Sequence, residues 1–279
     1  MVHVGTMGGE ARRLLRTLCP QPVLNWREAQ FFGRYGEVEL HLLDILCRRE
    51  ADAIDVGAND GSYVHYMRHH ARRVVAFEPM PALVRALRRK FRRNVTIEML
   101  ALSDSSGTVE LRMPVVDGVV VTGCSTVSSG ASAAYPAFQA IEVAKDRLDN
   151  VYKGHAGFIK IDVEGHQQAV LEGAVDTIVR CQPRMLVEVE ERLSPGGLKR
   201  CRAYFDALGY RGFFVHAGEL EPIDAFSIER LQDPANLPNL TAPLQARQRF
   251  GRYLYNFIFL PAREPQSTIS RIRARLRTL

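Results

Sequence analysis

The sequence predicts an α/β fold built on a doubly wound, mostly parallel sheet, and three observations carry that reading. From Ala51 onward, short apolar runs alternate with stretches of helical spacing, the signature of βαβ units. Three of those runs end in an acid: Asp55, Glu78 and Asp162. The first and third lead into a glycine-bearing turn and then a helix-like stretch. The acids would therefore share the rim where open α/β sheets bind ligands.

The elements follow in order. Ala11, Leu14, Leu15 and Leu18 recur at i, i+3, i+4 and i+7, which predicts a helix ending before Pro20. Leu42, Leu43 and Leu46 repeat that spacing within Val38–Leu46. Residues 1–50 thus read as a helical cap on the core. Strands are expected at Ala53–Val56, Val74–Phe77, Thr96–Ala101, Phe158–Asp162 and Met185–Val189. The intervening helices are Ser62–His70, Pro81–Phe91, His166–Gly173 and Leu198–Leu208. A strand pair, Gly212–His216 and Tyr253–Leu260, closes the central domain, 51–262. Thr108–Arg112 reads as a strand at a sheet margin. Pro114–Ala137 is rich in Gly, Ser, Ala and Val without a period, and a loop of that length in a compact domain is often functional. Glu221–Phe250, punctuated by Pro222, Pro234, Pro238 and Pro243, reads as an insert over the ligand-binding end.

The bulk numbers bound the class. A chain of 279 residues suffices for one α/β domain with extensions. Hydrophobic content of 46% and charged content of 24% are ordinary for a soluble globular protein. The five cysteines are scattered and form no Cys-x-x-Cys, which fits reduced thiols better than disulfides or zinc. Met1–Glu10 has no apolar core with a cleavage site, so a cytoplasmic location is expected. The apolar stretch Leu254–Leu260 is too short to span a bilayer. The net charge is +6. A basic chain can serve nucleic acid or an anionic membrane. In Arg85–Arg93, however, Leu83, Val84, Leu87 and Phe91 recur at helical spacing, which puts the arginines on a solvated outer face.

The first motif is Ile54-Asp55-Val56-Gly57-Ala58-Asn59-Asp60-Gly61-Ser62-Tyr63. It reads as a strand–turn–helix nucleotide cradle. Gly57 and Gly61 let backbone approach a ligand. The helix beginning at Ser62 offers unpaired N–H groups to an anion. Asp55 could accept from a ligand ammonium, and Asn59 lies within the same loop. The spacing Asp-x-Gly-x-Asn-x-Gly is not the Gly-x-Gly-x-x-Gly of dinucleotide binders. It favours S-adenosylmethionine, whose amino-acid end has both a carboxylate and an ammonium. Glu78, closing Val74–Phe77 roughly 20 residues on, is placed to accept from two ribose hydroxyls. A strand ending in a tight turn with no ligand, and a solvated strand-end glutamate, are the plain alternatives.

The third motif is Phe158-Ile159-Lys160-Ile161-Asp162-Val163-Glu164-Gly165-His166. With Ile54–Tyr63, Ala76–Pro79, Ala101–Gly107 and the helix through Gly173-Ala174, it resembles the FkbM family of S-adenosylmethionine-dependent methyltransferases. The resemblance covers about Asp52 to Glu190, with a weaker tail to about Pro261. It implies a Rossmann-like methyltransferase fold whose last strand runs antiparallel, S-adenosyl-L-methionine as cofactor, and a hydroxyl acceptor on a small molecule or glycan. Ser103, in Leu102-Ser103-Asp104, would lie under the adenine as in related methyltransferases, though Asp104 could equally cap the turn before Gly107.

Methyl transfer from a sulfonium is an in-line displacement, so an enzyme mainly aligns the acceptor. An alcohol benefits from a positioned base. Asp162, at the strand end, and His166, after Gly165, are the candidates; a solvent-facing helix start is the alternative for His166. Lys160, in a strand covered on both faces, needs a partner, and Glu188 on the neighbouring strand is the expected one. Glu164 suits a helix start or the acceptor. Asp162, Glu188 and Glu190 could form a divalent-metal site, but their spacing is no ligand motif, and no metal is expected. Methylation of RNA or protein, and cofactor binding without catalysis, are the rival functions. The Asn/Asp-Pro-Pro-Tyr/Phe tetrapeptide of base amino-group methylation is absent. In the basic tail, 263–279, Ile269, Ile272, Leu276 and Leu279 fall near one helix face. That suggests either a solvated appendage or a peripheral membrane contact.

Overall fold

A computed structural model describes residues 21–116, 119–120, 125–127, 137–237 and 250–279. The helix expected over Ala11–Leu18, and Cys19 and Cys124, lie outside them. The described prelude comprises α1 (Gln21–Tyr35), a 3-10 turn (Val38–Leu42) and α2 (Leu43–Leu46). Val38–Leu46 is thus a tight turn leading into one helical turn, not a continuous α-helix. Leu40, Leu42, Leu43 and Leu46 are buried in it.

Eight strands form the main sheet: β1 (Asp52–Val56), β2 (Val74–Phe77), β3 (Val95–Glu98), β8 (Ala156–Ile161), β9 (Arg184–Glu188), β10 (Tyr210–His216), β11 (Glu219–Pro222) and β12 (Asn256–Pro261). Their spatial order is β11-β10-β12-β9-β8-β1-β2-β3. From β3 to β9 neighbours run parallel, and β12 is antiparallel to both β9 and β10. The order reverses between β1 and β8, the crevice where such sheets bind ligands. This is the mostly parallel, doubly wound architecture expected, with the antiparallel strand that the resemblance implied.

The crossover helices are α3 (Ser62–Met67), α4 (Pro81–Lys90), α6 (Gln167–Glu172), α7 (Val175–Cys181) and α8 (Gly197–Ala207); α5 (Leu148–Val151) is a single turn. Helices cover both faces, so the strands bury side chains alternately into two cores. Ala53, Phe158, Leu186 and Ile258 pack on one side with α2, α3 and α4. Ile54, Ile159, Val187 and Phe257 pack on the other with α6, α7 and α8. Within β1, Asp55 falls on the first face, two residues beyond Ala53.

Three expectations are corrected. The strand foreseen at Thr96–Ala101 ends at Glu98; β4 (Ala101–Leu102) belongs to another sheet. Thr108–Arg112 is not a margin of the main sheet. It lies inside β5 (Gly107–Val116), which pairs antiparallel with β7 (Phe138–Asp146), Leu111 facing Ile141 and Val109 facing Val143. With β4 and β6 (Val119–Val120) these make a four-stranded sheet. Of the loop expected over Pro114–Ala137, residues 114–116 and 119–120 are strand, and 117–118, 121–124 and 128–136 lie outside the described set; the small sheet packs Leu111, Met113 and Val143 on Met80 and Ala101. The third correction concerns the C-terminus. α10 (Gln266–Leu276) buries Ile269, Ile272 and Leu276 in the first core, with Leu279 packed against it. Arg275 forks onto both carboxylate oxygens of Asp44 at 3.1 and 2.8 Å. The tail is part of the domain, and its apolar face is covered by the domain itself.

In the insert, α9 (Ile228–Leu231) precedes Gln232, whose amide donates to the carbonyls of Val189 and Leu254 at 2.7 and 2.9 Å. That fastens the insert beside the end of β9; residues 238–249 lie outside the described set. Among the described residues no helix is long and apolar enough to cross a membrane. Cys47, Cys181 and Cys201 are free and buried.

Candidate functional site

The cleft forms where β1 and β8 part. It holds about 610 Å³ of free space, partly open to solvent, and is lined by Gly57, Asn59, Glu78, Asp162, Glu164 and His166 together with Phe77, Leu100, Leu102, Leu111 and Val127. One end is therefore polar and the other apolar.

The loop after β1 is shaped by the protein's own packing. Gly57 has φ +81°, and a Cβ there would strike the carbonyl oxygen of Asp162. Gly61 has the same φ, but a Cβ on it would meet Leu87 of α4 and Phe91 just beyond its end. Gly61 thus lets α3 and α4 close together. The N–H of Ser62 donates to Asp60 Oδ1 at 3.0 Å, so it is satisfied within the chain. Gly61, Ser62 and Asp55 do not line the cleft.

Asn59 sits at φ +47°, a conformation asparagine tolerates better than most residues. Its N–H then points at Glu78 and donates to Oε2 at 2.9 Å. The N–H of Met80 donates to Oε1, also at 2.9 Å. Burial pushes the Glu78 carboxyl up to about 7, with the two N–H donors opposing that rise. Each oxygen has accepted one bond and keeps capacity for another. A vicinal diol has two donors to offer such a pair of oxygens.

Asp55 is fully buried, and neither carboxylate oxygen has a hydrogen-bond partner. Burial raises it to about 6, opposed by Lys160 and reinforced by Asp162. Lys160 is the centre of this polar band. Its Nζ lies 2.8 Å from Asp162 Oδ2, 3.8 Å from Asp55 Oδ1 and 4.5 Å from the centre of the Tyr63 ring. The expected Lys160–Glu188 pair is not formed. Lys160 is in register with Asp55 on one side and Leu186 on the other, so its amine meets Asp55 across the sheet and Asp162 two residues along its own strand. Asp55 thus sits beneath the cleft, beside Lys160.

Among the described residues no cation pairs with Glu188. Burial, then Asp162 and Glu164, pushes its carboxyl far up. Glu164 is raised in the same way, by burial first and by Asp162 next. One oxygen from each of Asp162, Glu164 and Glu188 falls within 4.8 Å of the others. These three, and not the expected set with Glu190, are the acids that could share a cation. Glu190 is forked onto Arg192 at 2.7 and 3.0 Å.

His166 lies at the apolar end. Its Nε2 is 3.0 Å from Ser103 Oγ, and burial lowers its pKa. The charges acting on it are those of Asp104 and Lys145, not that of Asp162. The two candidate bases are thus in one cleft but not in one pair. Ser103 is buried behind Leu102, with its N–H on the Asp146 carbonyl at 2.9 Å.

Sequence reading missed several contributors. Glu37, at the end of the prelude, accepts from the Tyr63 hydroxyl at 2.5 Å and from Asn256 Nδ2 at 3.2 Å. Thr126 donates its hydroxyl to the Glu164 carbonyl at 2.6 Å and pairs its backbone with Arg112, so the segment 125–127 roofs the cleft. No spacing connects these residues to the motifs; only the fold does.

The family model described as the methyltransferase FkbM domain matches residues 55–211, more than half of the chain. No curated protein matches the sequence. Among solved structures, methyltransferase FkbM from Methylobacillus flagellatus KT is 15% identical, with a TM-score of 0.47. The match covers 76% of this chain but only 44% of that one. A TehB-like SAM-dependent methyltransferase from Corynebacterium glutamicum is 11% identical, with a TM-score of 0.39 over 86% of this chain and 99% of that one. An rRNA methylase from Streptococcus thermophilus is 8% identical, with a TM-score of 0.40 over 80% and 93%. These similarities to structures are distant, whereas the domain match spans the Asp55 loop, Glu78 and the Asp162–His166 segment together. The chain belongs to the FkbM methyltransferase family.

Proposed function

We propose that this chain is an S-adenosylmethionine-dependent O-methyltransferase acting on a hydroxyl of a small molecule or glycan. One observation carries the reading. Asp162, a carboxylate held by Lys160 at 2.8 Å, opens onto the same cleft as Glu78, whose two oxygens are preset by amide donors.

The cofactor, when bound, supplies an activated methyl group on a sulfonium. Glu78 would hold the ribose hydroxyls, and the slot of Phe77, Leu100, Leu102, Leu111 and Val127 would take the adenine. Glu164 and Glu188, which burial keeps protonated beside Asp162, would yield their protons to the approach of the cofactor's ammonium and sulfonium charges, whose presence favours the ionised carboxylates. Asp162 is the base. It would take the acceptor's hydroxyl proton while the acceptor oxygen receives the methyl group that the bound cofactor would supply, with S-adenosylhomocysteine as the leaving group. Lys160 fixes the direction of the Asp162 carboxylate, with Asp55 and the Tyr63 ring behind it.

The test is methyl transfer from labelled cofactor to panels of alcohols, glycans, RNA and proteins, read by mass spectrometry. Labelled methyl ethers that are lost with Asp162→Asn support the reading. Transfer confined to RNA or protein, or cofactor binding with no transfer to any panel, removes it.

A further inference from the structure

At the apolar end of the cleft, His166, Ser103 and Asp104 form a short chain of hydrogen bonds. Ser103 Oγ is 3.1 Å from Asp104 Oδ1 and 3.0 Å from His166 Nε2. A serine hydroxyl has one proton to give. Asp104 also accepts from the Ser105 hydroxyl at 2.8 Å and faces the Lys145 ammonium at 3.9 Å. These groups, the Ser105 hydroxyl foremost, hold its carboxyl below the usual range, so it is ionised and can only accept.

Only one assignment satisfies both contacts. Ser103 donates to Asp104, and His166 donates from Nε2–H to Ser103. In the opposite assignment, with the serine proton on His166, the hydroxyl oxygen would face the carboxylate with no proton between them. Burial keeps the imidazole neutral, so a proton on Nε2 leaves Nδ1 as a lone-pair acceptor. Among the described residues no group donates to Nδ1, and His166 lines the cleft with Leu100, Leu102 and Leu111.

We propose that His166, held in its Nε2–H form by Ser103 and Asp104, uses Nδ1 to accept from the 6-amino group of the bound purine and so makes the cleft selective for adenine over a 6-oxo purine. This rests on the cofactor reading above. It removes His166 from the list of bases and makes it a specificity residue; Ser103 and Asp104 are positioning residues that act through it. An exocyclic amine has the donor that Nδ1 lacks. A 6-oxo group presents lone pair to lone pair, and a site built around a hydrogen bond rejects the analogue that cannot make it.

The experiment is calorimetric titration of S-adenosylhomocysteine and S-inosylhomocysteine into the full chain and two variants. The wild type should bind the adenosyl form about tenfold or more tightly. His166→Ala should bring the two affinities to within about twofold. Asp104→Asn changes a mostly exposed residue and should leave the fold intact. Its amide can donate to Ser103, which frees the serine proton for His166 Nε2 and moves the imidazole proton to Nδ1. That variant should lose the preference or reverse it. Nitrogen NMR of labelled imidazole, read without ligand, should show His166 Nδ1 unprotonated in the wild type and protonated in Asp104→Asn. A merely structural Asp104 would change neither the tautomer nor the selectivity. Binding of both ligands with equal affinity by the wild type, or a wild-type Nδ1–H tautomer, overturns the proposal and leaves the cofactor reading standing. Binding of neither ligand overturns both.

Discussion

The N–H of Asn59 donates to Glu78 Oε2 at 2.9 Å, which ties the turn after β1 to the end of β2. The two motifs are therefore one device. The positive φ of Asn59 aims its amide, and the amide aims the carboxylate, before any ligand arrives. Glu78→Ala is expected to weaken S-adenosylhomocysteine binding by about 1–3 kcal/mol, the range for losing hydrogen bonds to a charged group. Calorimetry checks it, and an unchanged dissociation constant would take Glu78 out of the ribose site.

Asp162→Asn is expected to lower kcat about 10²–10⁴-fold with little change in cofactor affinity, because shape is kept and basicity is lost. Steady-state rates and calorimetry on the same preparation separate the two effects. A variant with wild-type kcat would end the base assignment.

Lys160→Met strands Asp55 and Asp162 without their cation. Breaking a buried ion pair by removing one partner costs about 3–5 kcal/mol. Chemical denaturation should show that loss, and Lys160→Met combined with Asp55→Asn should recover part of it, since the uncompensated charge is then gone. No recovery would mean that Lys160 stabilises mainly by packing.

Three buried carboxyls set a pH dependence. Burial, with Glu37 adding, raises Glu39 to about 8; burial also raises Glu78 to about 7 and Asp55 to about 6. Each holds its proton in the folded chain at pH values where the unfolded chain has lost it. Their contribution to stability is thus full below the ordinary carboxyl range and is lost as pH rises through the folded values. Thermal unfolding midpoints should include a component that falls from about pH 4.5 to 8, and Glu39→Gln should flatten the slope between pH 6 and 8. A variant with the wild-type slope would show that Glu39 ionises normally.

Ile272→Ala is expected to cost about 2–5 kcal/mol, as for a large side chain removed from a packed core, because Ile272 is fully buried. A destabilisation under about 0.5 kcal/mol, the size of a surface change, would return α10 to the status of an appendage.

Local sequence determined much of this protein. The strands carrying Asp55, Glu78 and Asp162 were legible because apolar runs of strand length, ended by an acid and a turn, need no distant information. The family string around Asp162 was legible for the same reason. Other features depended on partners far along the chain. Phe138–Asp146 buries only Val143 fully, so it shows no alternation to read, and its strand form comes from pairing with β5. The arginine-rich face of α10 suggested a surface element, while its burial was decided by the groove beside α2 and β11. Lys160 was read as a buried cation from sequence, but the choice of Asp162 and Asp55 over Glu188 was a matter of register. The roles of Glu37 and Asn256, more than 200 positions apart, exist only where β12 brings them together. Short-range periodicity encodes which elements form and where their ends fall. Which polar groups meet at those ends depends on strand order and register, which are set by the packing of the whole chain.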